Sequence, residues 1–282
     1  MSEPTTRQVA IIGAGVMGSG IATLVLGHGI PVTLVDVDDT TLREADARIR
    51  QQLRHAQLMG ALPAGTAPGE LVTTTSLADV AEATAVIEAI VEDPQAKTKV
   101  LAEVSATVRP GTPLISNTSG IPIAELAASV ARPEELLGTH FMNPSYLIRM
   151  VEVSRGPLSG DSAVEAVVGL LSALGRKAVI VRDAPGFVTS RLLHPMINAA
   201  ARIVGEGTAT VEAVDELMEG CLGHPTGPLR TADLIGLDNL ADSLQVLYER
   251  TGDASCKPCD LLLDKVRQGH LGRKSGRGFY SY

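Results

Sequence analysis

Residues 138–156 are largely typical of two buried strands, but they include a histidine, an asparagine and a glutamate that could do chemistry: His140, Asn143 and Glu152. A turn at Asn143-Pro144 would bring Glu152 back beside His140. A carboxylate at one ring nitrogen fixes the tautomer of a histidine and stabilises the imidazolium, so that the other nitrogen can act as a general base. The spacing alone is equally compatible with a histidine that is simply hydrogen-bonded within a core.

A second group of residues follows the first apolar run. In "VAIIGAGVMGSGIATLVLGHG", the glycines Gly13, Gly15 and Gly18 lie between a predicted strand and a predicted helix. The first permits a tight turn, the second lets the backbone approach a pyrophosphate, and the third allows close contact between strand and helix. The pattern predicts a dinucleotide site, although a glycine turn without a ligand would give the same letters.

The end of the second predicted strand indicates which dinucleotide would bind. Asp36 closes "VTLVD", near the roughly 20-residue offset at which an acid binds the ribose 2′-hydroxyl. A carboxylate repels a 2′-phosphate, and Val37 follows where an arginine would favour one. We therefore expect NAD as the cofactor, in preference to NADP.

The elements that must position these residues change character along the chain. Short β-branched runs alternate with helical patterns up to about residue 184, which predicts a Rossmann-type doubly wound, mostly parallel sheet. After Pro185-Gly186 the remaining patterns are helical. Thr210 precedes one of them as a predicted N-cap. We expect an α/β fold with an NAD-binding domain over residues 1–184 and an all-helical C-terminal domain over residues 185–282.

The composition excludes several classes of function. A net charge of −8, no tryptophan and 2% aromatic residues argue against nucleic-acid binding, so we expect a small-molecule partner. No apolar run reaches the roughly 18 residues of a membrane span. With three cysteines and no signal peptide ahead of the first apolar run, the expected location is the cytoplasm. Cys256 and Cys259 lack two further ligands at metal spacing, so no metal site is expected.

The chain resembles the bacterial L-3-hydroxyacyl-CoA dehydrogenases, especially the short 3-hydroxybutyryl-CoA dehydrogenases. The resemblance covers nearly the whole chain through ordered motifs: "VAIIGAGVMGSGIA", "IEAIVED", "SNTSG", "GTHFMNP", "MVEV", "DAPGFVTSRLL", "HPTGPLRTADLIGLD" and "GRKSGRGFYSY". It implies that His140 is the catalytic base and Glu152 its partner. It also implies that Ser119 helps bind the reacting oxygen and that Asn143 lies near the thioester.

The same resemblance assigns residues to the dinucleotide and to coenzyme A. Glu92, Lys97 and Asn117 match positions that contact the dinucleotide, although Asn117 could be only a strand-end cap and Lys97 a solvated helix residue. Arg50 and Arg54 match basic positions that contact CoA. Together with Arg43 they lie near one face of a predicted long helix, which could equally be a solvated surface.

One departure from the family pattern concerns the catalytic residues. Ser190 stands where the family usually has an asparagine that contacts substrate near the catalytic histidine, and we count it with the catalytic positions. Serine is shorter and leaves extra volume, so we expect an altered rate or substrate. Further differences lie around the expected acyl pocket, at Gly120, Met142 and "TGPL" from Thr226.

Three functions are therefore considered. The first is an NAD-dependent L-3-hydroxyacyl-CoA dehydrogenase of the 3-hydroxybutyryl-CoA type, as in fatty acid metabolism. The second keeps this chemistry but takes the acyl group from an acyl carrier protein, as in polyketide extender-unit biosynthesis. The third is an NAD-binding relative without turnover. In each case the resemblance implies a homodimer through the C-terminal helical domain.

Overall fold

The structure is a computed structural model that describes residues 7–282. The chain divides between Ala184 and Pro185 into two compact units, which are described separately. In the described part of the chain, no helix is long and apolar enough to cross a membrane. Over the same residues, no group of three or more His, Cys, Asp or Glu side chains could hold a metal ion.

The first unit is built on one eight-stranded sheet in the order β3-β2-β1-β4-β5-β6-β7-β8. The strands are β1 (Val9–Ile12), β2 (Val32–Val35), β3 (Leu71–Thr74), β4 (Ala85–Glu88), β5 (Leu114–Ser116), β6 (Leu136–His140), β7 (Met150–Arg155) and β8 (Lys177–Arg182). Every neighbouring pair is parallel except β6 and β7. The predicted doubly wound, mostly parallel sheet is confirmed.

The strand order reverses at β1, whose two neighbours are β2 and β4. In open α/β sheets, ligands bind outside the carboxyl ends of the strands at such a switch point. Strands β1, β4, β5 and β6 are mutually parallel, so the segments that follow them all leave the sheet at one edge. That edge carries the glycine loop, the segment around Glu92, the "SNTSG" segment and His140.

Helices cover the sheet: α1 (Val16–Gly27), α2 (Asp39–Leu58), α3 (Pro94–Thr107), α4 (Ile123–Ala127) and α5 (Asp161–Ala173). α1 is buried from Gly18 to Gly27, since it packs between the sheet and α2. Aspartates begin two of the helices. The Asp38 carboxylate accepts from Thr41 N at 2.8 Å, and the Asp93 carboxylate from Ala96 N at 2.7 Å, which satisfies amide groups that the helices leave unpaired.

The second unit has its own apolar core and is helical, as predicted. Its helices are α6 (Thr189–Gly205), α7 (Val211–Leu222), α8 (Pro228–Ile235), α9 (Leu237–Thr251) and α10 (Asp260–Arg267). The Thr210 hydroxyl accepts from Ala213 N at 3.2 Å, which confirms the N-cap.

Two buried carboxylates organise this unit. Asp215, on α7, accepts from Leu229 N at the start of α8 and from the Tyr280 hydroxyl, both at 2.8 Å. Asp233, on α8, accepts from Phe279 N at 2.8 Å and from Tyr280 N at 2.9 Å. Burial, with a smaller contribution from the bond to Asp215, raises the pKa of Tyr280 to about 12. Residues 279–280 are therefore fixed to the helices by hydrogen bonds to carboxylates.

Candidate active site

His140 and Glu152 lie opposite each other on the antiparallel strands β6 and β7, where β6 ends. His140 is the last residue of β6, and the register of β6 with β7 places it directly opposite Glu152. The two side chains therefore point to the same side of the sheet. His140 Nδ1 lies 3.4 Å from Glu152 Oε2, and each residue is 7% exposed. This carboxylate can orient the ring through Nδ1 and stabilise a positive charge on it.

Asn117 connects the end of β5 to the residue after His140. Its side-chain oxygen accepts from Phe141 N at 3.1 Å, and its backbone N–H donates to Glu88 O at 2.7 Å. Asn117 is buried, with 9% exposed. It thus behaves as a cap between neighbouring strand ends and helps to fix the backbone next to His140.

Ser119 lies in a short loop that is held by one carboxylate. Glu92 Oε1 accepts from Ser119 N at 2.7 Å, from Gly120 N at 3.0 Å and from the Thr118 hydroxyl at 2.6 Å. Three hydrogen bonds to one ionised oxygen fix the loop more firmly than neutral partners would. The placement of Ser119 relative to the sheet therefore depends on Glu92.

Lys97 forms ion pairs with Glu92 and with Glu88. Its side chain is fully buried, and Nζ lies 2.6 Å from Glu88 Oε1 and 3.3 Å from Glu92 Oε2. Glu88 Oε2 in turn accepts from the Ser116 hydroxyl at 2.6 Å. A buried charge is tolerated when it is paired and hydrogen-bonded, as here. The alternative interpretation, that Lys97 is a solvated helix residue, is wrong. Its side chain is buried inside the network that links β4 and β5 to the Ser119 loop.

The glycine loop has the geometry that a dinucleotide requires. Gly13 has φ of +99°, and a Cβ there would lie 2.6 Å from Ala89 O, whereas a Cβ on Gly18 would overlap the Gly13 carbonyl. A Cβ on Gly15 would have no neighbour within 4 Å, so the backbone is open at the N-terminus of α1. Amide groups at a helix N-terminus bind anions such as pyrophosphate. The residues present therefore fit NAD.

Asp36 and Arg48 are two of the polar side chains that contact this loop. Asp36 Oδ2 accepts from Ala14 N at 2.7 Å, so the carboxylate expected at the ribose also braces the loop. Arg48 Nη1 reaches from α2 to the Ser19 hydroxyl at 3.2 Å and approaches Ala14 O at 3.5 Å. Arg48 lies off the helix face of Arg43, Arg50 and Arg54, and its sequence position does not indicate this contact with the glycine loop.

The basic face of α2 is exposed and partly neutralised. Arg50 forms an ion pair with Asp46 at 2.9 Å, and Arg43 donates to the Thr40 hydroxyl at 2.9 Å. Both arginines border a cavity of about 380 Å³ that is lined by Asp39, Leu42, Arg43, Asp46, Arg50, Leu71 and Thr73. No catalytic candidate lines that cavity. Exposed ion pairs contribute little, so Arg50 can exchange Asp46 for a phosphate at low cost.

Ser190 lies in the second unit, as the second residue of α6. Its side chain is 1% exposed, and among residues 7–282 its hydroxyl has no hydrogen-bond partner. Three residues earlier, Phe187 is buried with φ of 47°, a left-handed conformation that is costly for a bulky side chain. The Ser190 hydroxyl is therefore an unsatisfied buried polar atom, three residues from a strained backbone position.

Some of these residues could not be selected from the sequence. Glu88 stands inside the apolar run "AVIEAI", and an acid within a buried strand was the available signal. Nothing in the local pattern indicates its pairing with Lys97. Asp183 accepts from Ile123 N at 2.9 Å and from Ala124 N at 2.8 Å at the start of α4. It opens the motif "DAPGFVTSRLL", but nothing in the sequence indicates these two hydrogen bonds.

Comparison with known proteins agrees with this arrangement. Residues 8–184 match the model of the 3-hydroxyacyl-CoA dehydrogenase NAD binding domain, and residues 186–282 match that of the 3-hydroxyacyl-CoA dehydrogenase C-terminal domain. The chain is 40% identical to a probable 3-hydroxybutyryl-CoA dehydrogenase of Bacillus subtilis, over 98% of this chain and 97% of that protein. It is 39% identical to a 3-hydroxybutyryl-CoA dehydrogenase of Mycobacterium tuberculosis over the full length of both.

Solved structures are similarly close. The crystal structure of FadB2 from M. tuberculosis has a TM-score of 0.92 at 37% identity, covering 98% of this chain and 99% of that one. The (S)-3-hydroxybutyryl-CoA dehydrogenase PaaH1 of Ralstonia eutropha has a TM-score of 0.87 at 37% identity, with the same coverage. Together with the two domain matches, these similarities show that the chain belongs to the 3-hydroxyacyl-CoA dehydrogenase family and has NAD as its cofactor.

Proposed function

We propose that the protein interconverts an L-3-hydroxyacyl-CoA and the corresponding 3-ketoacyl-CoA, with 3-hydroxybutyryl-CoA and acetoacetyl-CoA as the substrate pair. The observation that carries the proposal is the His140–Glu152 pair, which lies at the sheet edge that also bears the glycine loop. The similar proteins of B. subtilis and M. tuberculosis bear the name 3-hydroxybutyryl-CoA dehydrogenase, which supports the substrate class.

In the proposed oxidation, His140 Nε2 takes the proton of the substrate's 3-hydroxyl group while Glu152 holds the opposite ring nitrogen. The imidazolium that forms is stabilised by the Glu152 carboxylate. General-base assistance of this kind is worth roughly 10²–10⁴-fold in rate. NAD, when bound, supplies the acceptor for the hydride that leaves C3. In the reverse direction His140 returns the proton to the carbonyl oxygen as the ketone is reduced.

The remaining site residues position the thioester in this proposal. The Ser119 hydroxyl donates to the reacting oxygen, from a loop that Glu92 fixes. Asn143, which is exposed in the loop after β6, contacts the thioester end. Ser190 contacts the substrate with its hydroxyl, a role that the missing hydrogen-bond partner supports. Arg50 and Arg54 receive the CoA phosphates.

A second candidate keeps the chemistry and changes the carrier. The exposed arginines of α2 would attract an acidic acyl carrier protein as readily as CoA phosphates. Serine at position 190, with its buried unsatisfied hydroxyl, favours an acyl group other than the usual one. This candidate corresponds to the formation of polyketide extender units.

One experiment separates these candidates. NADH oxidation is followed with acetoacetyl-CoA and, in parallel, with the acetoacetyl group on a phosphopantetheine-loaded carrier protein. We expect faster turnover of the CoA ester. Faster turnover of the carrier-bound group would support the second candidate. Tight NADH binding without turnover of either thioester would contradict both and would identify an NAD-binding relative without activity.

We also propose a homodimer through the helical unit. Leucines on α6 and α7 are unusually exposed, at 70% for Leu192, 59% for Leu217 and 67% for Leu222. Exposed apolar side chains that are grouped on neighbouring elements mark association surfaces. Light scattering at micromolar concentration should give twice the mass of one chain, and a monomer would contradict the proposal.

A further inference from the structure

The loop between β6 and β7, residues 141–149, is anchored through its backbone by a buried arginine. Arg176 donates to Tyr146 O at 2.9 Å and to Ser145 O at 3.3 Å, and it is 7% exposed. Within the loop, Pro144 O accepts from Leu147 N at 3.0 Å. This loop carries Asn143, the residue proposed for the thioester end.

The Tyr146 side chain leaves this loop and reaches helix α2. Its ring is 6% exposed and packs in the core of the first unit. The hydroxyl lies 3.3 Å from His55 Nδ1, and the two rings meet edge to face, with centroids 6.0 Å apart and planes at 84°. Edge-to-face contacts of this kind are favourable in addition to the area they bury. Burial raises the pKa of Tyr146, so its hydroxyl keeps its proton at neutral pH.

His55 links this contact to the basic face of α2. It lies in the last turn of the helix, is exposed, and directly follows Arg54. Arg50 lies one turn earlier on the same helix. Tyr146 is three residues from Asn143 along the chain. One side-chain contact, between residues 91 positions apart, therefore joins the loop proposed for the acyl end to the helix proposed for the phosphates.

We infer that Tyr146 is a positioning residue that fixes α2 relative to the Asn143 loop, so that binding of the phosphate-bearing end of a thioester aligns its acyl end for reaction. The inference rests on the proposed function. Binding energy from a remote part of a substrate raises turnover only when the protein transmits it to the reacting centre. The Tyr146–His55 contact connects those two regions.

This role differs from that of an ordinary core aromatic residue. Tyr146→Phe removes only the hydroxyl and keeps the buried ring, so packing is retained. A residue that only supports the fold would affect all substrates alike. A residue that transmits binding energy from the phosphates affects only substrates that carry them.

The test compares two thioesters that differ only in the phosphate-bearing end. NADH oxidation is measured with acetoacetyl-CoA and with acetoacetyl-pantetheine, which lacks the nucleotide and its phosphates. For Tyr146→Phe, kcat/KM should fall about 5-fold to 10-fold on the CoA ester, in line with the loss of one hydrogen bond, and less than about 2-fold on the pantetheine ester. Adding Arg54→Ala to Tyr146→Phe should raise KM for the CoA ester, since a phosphate contact is lost, but should lower kcat little further, because both changes interrupt the same connection.

Two further variants control the test. His55→Ala alters the exposed partner and leaves the core intact, so it should reproduce the selective loss on the CoA ester. Tyr282→Phe removes a hydroxyl that donates to Asp233 at 3.1 Å in the second unit and should leave both activities unchanged.

The outcomes distinguish this inference from the proposed function. Equal losses on both esters, or no loss on either, would overturn the positioning role while the proposed function stands. Absence of NADH oxidation by the unaltered protein with either ester would overturn the proposed function and the inference with it.

Discussion

Lys97 and Glu88 form an ion pair inside the first unit, with Nζ 2.6 Å from Oε1 and side chains that are 0% and 1% exposed. Loss of one partner from such a pair leaves an uncompensated buried charge, which costs more than the pair contributes. The pair also supports Glu92, and through it the loop of Ser119. A change at Lys97 should therefore affect both stability and turnover.

Lys97→Met should lower the free energy of unfolding by about 3 kcal/mol or more, because Glu88 keeps a buried carboxylate without its cation. Urea denaturation measures this change. Lys99→Met is the matched control, since Lys99 is an exposed lysine on the same helix, and its effect should stay within about 0.5 kcal/mol. Equal effects of the two substitutions would contradict the structural role of Lys97.

His140→Ala should reduce kcat by roughly 10²–10⁴-fold, because the proposed general base is removed. The dissociation constant for NADH should stay nearly unchanged, since the glycine loop follows β1 and not β6. Glu152→Gln should give a smaller loss, because the amide can still contact the ring but carries no charge. His224→Ala is the control for loss of a histidine elsewhere. A parallel loss of NADH binding in His140→Ala would make His140 a structural residue.

Ser190→Ala should lower turnover without lowering stability. Its hydroxyl is buried without a partner, so removal of this group relieves an unsatisfied polar atom and costs no hydrogen bond within the protein. Turnover should fall because the proposed contact with the substrate is lost. Thr139→Val removes another unsatisfied buried hydroxyl and should leave turnover unchanged. Unchanged turnover in Ser190→Ala would remove Ser190 from the site.

NADH should bind at least about tenfold more tightly than NADPH, a difference of about 1.4 kcal/mol. The physical reason is repulsion between the Asp36 carboxylate and a 2′-phosphate, which is worth about 1–4 kcal/mol at contact distance near a protein surface. Asp36→Ala should weaken NADH binding and reduce the difference in affinity between NADH and NADPH. Fluorescence titration with both nucleotides measures it. Equal affinities in the unaltered protein would contradict the assignment of Asp36.

Acidification should destabilise the protein through His28. Burial is the main cause that lowers the pKa of this histidine below 6.5, and its Nδ1 lies 2.8 Å from Leu24 O. The unfolded chain therefore binds a proton more readily than the folded one, so the free energy of unfolding falls as the pH drops through 6.5. His28→Asn should show a smaller fall between pH 7.5 and pH 5.5 in urea denaturation. If the free energy of unfolding fell by the same amount in His28→Asn as in the unaltered protein, His28 would not be a source of the acid destabilisation.

The parts of the fold that follow from local patterns could be predicted from the sequence. The strand of Val9–Ile12, the glycine turn after it and the cap at Thr210 each depend on neighbouring residues. The carboxylate of Asp36 was also predictable, because it closes a strand at a known offset from the glycines. Periodicity and turn chemistry are local, and they need no knowledge of distant partners.

The side-chain networks could not be predicted in the same way. Glu88 looks like an isolated acid until the fold brings the Ser116 hydroxyl to 2.6 Å from it. Arg48 lies off the helix face of Arg43, Arg50 and Arg54, and nothing in the sequence indicates that its long side chain reaches the Ser19 hydroxyl. The position of a residue on a helix fixes only the direction of its Cα–Cβ bond. The long, flexible arginine side chain can bend from there toward a different face.

The hydrogen bonds that Asp215 and Asp233 accept from residues 279–280 delay the completion of folding of the helical unit during translation. Asp215 leaves the ribosome 65 residues ahead of its Tyr280 donor, and Asp233 leaves 47 residues ahead of the Tyr280 amide. Until those donors emerge, Asp233 lacks the amides of Phe279 and Tyr280 and Asp215 lacks the Tyr280 hydroxyl, so full burial of the two carboxylates leaves hydrogen bonds unmade and is costly. The helical unit therefore closes late during translation, and a nascent chain arrested before residue 279 should be cleaved readily by protease between α7 and α8.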